Sequence, residues 1–146
     1  MARQAEAEWK GDLKGGTGRV KTGSGGYEGN YSFATRFENG AGANPEELLG
    51  AAHAGCFSMN LANTLSQAGF TPTSIKTKAD VHLNKDDKGF QINLVELTVD
   101  ADVPKVDNAT FQQHVEKSKT GCIITSRRAR PAASSRARSA RSRRSP

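Results

Sequence analysis

The chain is 146 residues long, enough for one domain with a modest core. Its formal net charge of +6 is concentrated at one end: residues 127–146 hold eight arginines and no acidic residue. Without them thirteen basic residues face fifteen acidic ones, so the body carries −2 and offers no basic face for nucleic acid. The N-terminus lacks the apolar stretch of a secretory leader, and no run approaches membrane-spanning length, which favours a cytoplasmic location and no membrane partner.

In chain order, the first forty residues read as strands between glycine-rich turns. Ala5 to Asp12 carries Trp9, and Gly18 to Thr22 carries Val20. Tyr31 to Glu38 alternates, with Tyr31, Phe33, Thr35 and Phe37 on one face and Arg36 on the other. A helix is predicted over 45–68. Asn44 caps it, Pro45 presets the first φ, Glu47 stands at a capping-box spacing and Gly69 stops it. Leu48, Leu49, Ala51, Ala52, Ala54, Phe57, Met59, Leu61, Ala62 and Leu65 make it apolar around much of its circumference, so burial is expected. Such a helix in so small a chain suggests oligomerisation.

Ser74 to Leu83 then alternates cleanly, and Asp86-Asp87-Lys88-Gly89 is a hairpin turn. The partner strand begins on Phe90, Ile92 and Leu94 and shifts phase to Val95, Leu97, Val99 and Ala101, the sign of a β-bulge. Asp107 caps a second helix with Phe111, Val115 and Ser118 on one face, ended by Gly121. The order of elements predicts an α+β domain over residues 1–126. Residues 127–146 have no aliphatic side chain larger than alanine, and a disordered tail is expected. Their Arg/Ala/Ser/Pro composition is also what GC-rich coding DNA yields out of frame, so a frameshifted or divergent C-terminus is one reading.

Two cysteines, Cys56 within the central helix and Cys122 after Gly121, are too far apart for a CxxC pair. With three scattered histidines they make a poor zinc site, so neither metal nor cofactor is expected. Taken alone, two buried core cysteines are the better reading, because free cysteine is among the most buried residue types.

The run Thr35-Arg36-Phe37-Glu38, then Asn44-Pro45-Glu46-Glu47-Leu48 through Gly50-Ala51-Ala52-His53-Ala54-Gly55-Cys56-Phe57-Ser58-Met59, resembles the OsmC/Ohr family of thiol peroxidases. Its wording is closer to the OsmC branch. Ala7-Glu8-Trp9-Lys10-Gly11, Ala68-Gly69-Phe70-Thr71-Pro72 and Gly121-Cys122 agree, and the resemblance spans roughly residues 4 to 122.

That resemblance implies an intertwined homodimer built around the central helices, each site drawing residues from both chains. It implies a two-cysteine peroxidase that reduces organic hydroperoxides to alcohols in oxidative or osmotic stress. Cys56 would be the peroxidatic thiol, Cys122 the resolving one, Arg36 the activating cation and Glu46 its carboxylate partner. A lipoyl dithiol on a partner protein would reopen the disulfide. Phe57 and Met59 fit a preference for organic hydroperoxides, and His53 reads chiefly as a packing or hydrogen-bonding residue. The chain departs from the family after Cys122, where a proline commonly follows and this sequence has Ile123-Ile124-Thr125. Two other readings are an inactive member with a damaged C-terminus, and a binder of nucleic acid or anionic surfaces through the tail. Nucleic acid is disfavoured because no aromatic residue interleaves with the arginines.

Overall fold

The structure is a computed structural model that describes residues 1–127 and 135–138. It divides into two compact units, Met1–Leu48 and Leu49–Pro146.

The first unit is a three-stranded antiparallel sheet in the order β1 (Ala5–Lys10), β2 (Thr17–Thr22), β3 (Glu28–Ser32). Trp9, Gly18 and Tyr31 lie opposite one another across the three strands. A Cβ on Gly18 would sit 2.4 Å from the Tyr31 ring and 2.8 Å from that of Trp9, so glycine lets the two rings, 5.5 Å apart, close over the middle strand.

Here the sequence expectation fails in one place. The alternation from Tyr31 to Glu38 predicts a strand, but the strand stops at Ser32 and Phe33–Phe37 forms a short helix, α1. The cause is a reciprocal cap. The Ser32 hydroxyl accepts from the Thr35 N–H at 3.2 Å, and the Thr35 hydroxyl accepts from the Ser32 N–H at 2.9 Å. Local hydrogen bonds override a period-two pattern here, and Arg36 sits on a helical turn.

The central helix, α2 (Pro45–Gln67), begins in the first unit and continues through the second. Asn44 Oδ1 accepts from the Glu47 N–H at 2.8 Å, and Gly69 leaves the helix at φ +85°. In the second unit β4 (Ser74–Asp86) and β5 (Gly89–Asp102) form a long antiparallel hairpin. His82 pairs with Leu94 but Leu83 pairs with Ile92, so Asn93 is the bulged residue and the core phase of β5 moves to Val95, Leu97, Val99 and Ala101. Phe57, Leu61 and Leu65 from α2 join that row and meet Phe111 and Val115 of α3 (Asn108–Gly121).

A five-residue helix, α4 (Ile123–Arg127), follows Cys122, and β6 (Ser135–Arg138) pairs in parallel with β5 from Leu97 to Asp100. Strand pairing uses backbone groups and needs no large apolar side chain, which the segment lacks. The expectation of a disordered tail therefore meets a strand at 135–138, while 128–134 and 139–146 lie outside the described residues.

Asp107 caps α3, accepting from the Thr110 N–H at 2.9 Å and from its hydroxyl at 2.7 Å. The backbone bond from Thr110, then its side chain, hold the Asp107 carboxyl below the usual range. A depressed folded-state pKa means the stabilisation is complete above the unfolded value, about 3.9, and is lost as pH falls through the folded one. Asp107→Ala is expected to lower the melting temperature at neutral pH and to flatten the acid limb of the stability profile, both read by thermal denaturation.

Candidate active site

The four residues singled out from the sequence form two pairs, each within its own unit. In the first, Arg36 on α1 meets Glu46 in the opening turn of α2. Arg36 Nη2 donates to Glu46 Oε1 at 2.6 Å, and Nε donates to both carboxylate oxygens at 3.0 and 3.2 Å. The side chain of Glu46 is 12% exposed and that of Arg36 is 39% exposed, so the carboxylate is buried and the guanidinium is pinned with one side toward solvent. That planar, forked geometry suits arginine and not lysine. Glu46 also lies in the first turn of α2, where a negative charge is favourable, so its position serves both roles.

Beside Arg36 is an apolar cleft of about 210 Å³, lined by Trp9, Leu13, Tyr31, Phe33 and Phe37 together with Ser32 and Pro45. Phe57, expected to supply apolar surroundings for substrate, does not do so: it is 1% exposed and committed to the core. Met59, by contrast, is 77% exposed.

The second pair is the two thiols. Cys56, midway along α2, and Cys122, the C-cap of α3, are both free, and their Sγ atoms lie 3.1 Å apart. Residues 66 apart in sequence meet because α2 and α3 share one core. A sulfur separation of this size needs only a small approach to form a bond. The contact brings together the two cysteines singled out from the sequence.

Their environments differ. Burial pushes the Cys56 thiol up, opposed by the Ile124 backbone N–H, and the neighbouring Cys122 sulfur raises it further. Burial also acts on Cys122, which is 0% exposed, but is outweighed by the Thr125 side chain, by Cys56 and by the N–H groups of Thr125 and Ile124. Cys122 therefore ionises below the ordinary cysteine range and Cys56 above it.

Sequence reasoning missed Thr125. It stands one turn after Cys122, in the segment where the chain leaves the family pattern, and its hydroxyl lies 2.8 Å from His53 Nε2. His53 is 4% exposed, in keeping with a hydrogen-bonded packing residue. Among the described residues, no three His, Cys, Asp or Glu side chains converge to hold a metal ion, and no helix is long and apolar enough to cross a membrane.

Comparison with known proteins bears on the family and the fold. The family described as OsmC-like protein matches residues 38–130. The chain is 50% identical over 124 residues to the peroxiredoxin OsmC of Escherichia coli, covering 84% of this chain and 87% of that protein. The Shigella flexneri protein of the same name matches equally. Among solved structures, the organic hydroperoxide resistance protein OhrB of Bacillus subtilis superposes with a TM-score of 0.69 at 22% identity, covering 92% of this chain and 96% of its own. An OsmC-like protein of unknown function from Vibrio cholerae gives a TM-score of 0.75 at 13% identity, covering 94% and 99%. The two solved structures bear on the fold alone.

Proposed function

The chain belongs to the OsmC-like protein family, and we propose that within it the protein is a two-cysteine thiol peroxidase that reduces organic hydroperoxides. The observation that carries this reading is the 3.1 Å separation of the Cys56 and Cys122 sulfurs. The half-identical relative named a peroxiredoxin supports peroxide as the substrate class. The aromatic cleft beside Arg36 supports an organic substituent on that peroxide.

In the first step the Cys56 thiolate attacks the distal peroxide oxygen. An S–O bond forms and the O–O bond breaks; the sulfur loses two electrons, the peroxide gains them, and the alkoxide takes a proton to leave as alcohol. Burial and the neighbouring Cys122 sulfur raise the pKa of Cys56, against ionisation. A cation is needed, and Arg36, oriented by Glu46, supplies one whose fork can face both the thiolate and the departing oxygen. In the second step the Cys122 thiolate attacks the sulfenic sulfur. The S–S bond forms, the S–O bond breaks, and hydroxide leaves with a proton as water.

A second copy of the chain completes the working unit. Ala51, Ala52, Gly55 and Met59 form an exposed apolar stripe along α2, of the kind a partner helix covers. The reductant is a dithiol, and a lipoyl group on a partner protein has the required two-electron chemistry. The cytoplasm, where thiols are kept reduced, is the compartment consistent with a regenerated pair. The alternative of nucleic-acid binding concerns a segment that lies largely outside the described residues.

Steady-state reduction of cumene hydroperoxide with dihydrolipoamide tests the proposal. Turnover is expected to be at least about tenfold faster than with glutathione, because a dithiol completes exchange intramolecularly. No turnover with any thiol would overturn it.

A further inference from the structure

Side-chain hydrogen bonds bracket the two sulfurs on both sides. His53, Cys56, Asn60 and Thr64 recur at helical spacing and share one face of α2. They meet, in the opposite chain direction, Thr125, Cys122 and Ser118. His53 Nε2 is 2.8 Å from Thr125 Oγ1 on one flank of the 3.1 Å sulfur contact. On the other flank Asn60 Nδ2 donates to the Ser118 carbonyl at 3.1 Å, and Thr64 Oγ1 lies 3.2 Å from Ser118 Oγ. The Ser118 carbonyl also accepts the backbone N–H of Cys122 at 3.1 Å. Asn60 therefore holds the group on which the backbone of Cys122 rests. The approach is close, since a Cβ on Gly121 would stand 2.7 Å from Asn60 Nδ2. His53 and Ser118 are buried, so water competes poorly for these bonds.

We infer that Asn60 with Gly121 on one flank, and the His53–Thr125 pair on the other, are positioning residues that present Cys122 to Cys56. The inference rests on the two-cysteine reading for its role in turnover, while the bracket stands on the contacts alone. Two sulfurs on separate helices react at a rate set by the fraction of time they spend in bonding geometry. A single clamp would leave the Cys122 segment able to pivot about it. Clamps before and after the cysteine remove that motion. In the proposed cycle they act on the second step, the attack of Cys122 on the Cys56 sulfenic sulfur. Glutathione gives the same closure without peroxide. The Cys122 thiolate attacks Cys56 Sγ in its mixed disulfide with glutathione, the protein S–S bond forms, the mixed S–S bond breaks, and glutathione leaves as thiolate and takes a proton.

The test equilibrates the full chain with reduced and oxidised glutathione. The fraction carrying the Cys56–Cys122 bond gives the effective concentration of one thiol at the other. Asn60→Ala and Thr125→Val are each expected to lower it about fivefold, the worth of one hydrogen bond. Thr125→Ser, which keeps the hydroxyl, should preserve it. Gly121→Ala forces the Asn60 amide off the Ser118 carbonyl, so it should match Asn60→Ala, and the double variant should be no worse than either alone. If Gly121→Ala fails to fold, Asn60→Ala and the two Thr125 variants carry the test. In single turnover with cumene hydroperoxide, Asn60→Ala should lower the ratio of disulfide closure to sulfenic acid formation by the same factor. An equilibrium unmoved in Asn60→Ala or Thr125→Val, even with a lower melting temperature of the reduced chain, overturns the inference. So does a serine variant as impaired as the valine one, or additive losses in the Asn60→Ala, Gly121→Ala double variant. Because glutathione replaces peroxide, the equilibrium still reads the inference if the chain proves unable to reduce hydroperoxides.

Discussion

Cys56→Ser is expected to abolish hydroperoxide reduction, while Cys122→Ser permits a single attack and leaves a sulfenic acid on Cys56 that dimedone traps. The asymmetry follows from position. Cys56 lies on α2 and is partly accessible, whereas Cys122 is enclosed at the end of α3. Serine keeps the volume of the site and removes the soft, ionisable sulfur, so the core that both residues border should survive. Peroxide consumption and the mass of the trapped adduct read the two variants. Multiple turnovers by Cys56→Ser would transfer the nucleophile's role elsewhere.

The second large effect concerns Arg36. Arg36→Ala is expected to slow Cys56 oxidation by about 10²- to 10³-fold, comparable to losing one fixed donor aimed at developing negative charge. It should also move the pH–rate profile upward, because the pKa of Cys56 is already raised by burial and by its sulfur neighbour. Arg36→Lys should recover only part of the rate, since a point charge cannot reproduce contacts to both Glu46 oxygens while facing a third group. Stopped-flow oxidation at several pH values measures this. A profile unchanged in Arg36→Ala would remove the arginine from the activating role. Arg36→Ala also leaves the buried Glu46 carboxylate without its cation, at about 1–3 kcal/mol, so a lower melting temperature accompanies the kinetic loss.

Much of this was legible in the residues. The bounds of α2 followed from Asn44, Pro45 and Gly69, and those of α3 from Asp107 and Gly121, because caps and glycine stops are local chemistry. The phase change in β5 announced a bulge that the structure places at Asn93. The short helix carrying Arg36 was hidden because Tyr31, Phe33, Thr35 and Phe37 mimic a strand, and the deciding bonds between Ser32 and Thr35 show only as two hydroxyl residues three apart. β6 was hidden for the opposite reason, since its arginines and small residues give no apolar pattern to read.

For the site, the pairing of Cys56 with Cys122 was implied by the family resemblance and not by the spacing of the residues. No spacing rule brings positions 56 and 122 within 3.1 Å; the packing of α2 against α3 does so. Thr125 carried no signal by itself, because a hydroxyl one turn after a cysteine gains meaning only with His53 opposite it. Phe57 misled in the other direction, as adjacency to Cys56 in sequence turns its ring into the core.

The proposed peroxidase requires Cys56 and Cys122 to form one redox unit. Intact-protein mass after adding one equivalent of cumene hydroperoxide to the fully reduced chain tests it most directly, with peptide mapping to locate the change. The predicted result is the loss of two hydrogens and a peptide joining Cys56 to Cys122, reversed by dihydrolipoamide. An unchanged mass, or an oxygen retained on either sulfur with no linked peptide, would contradict it.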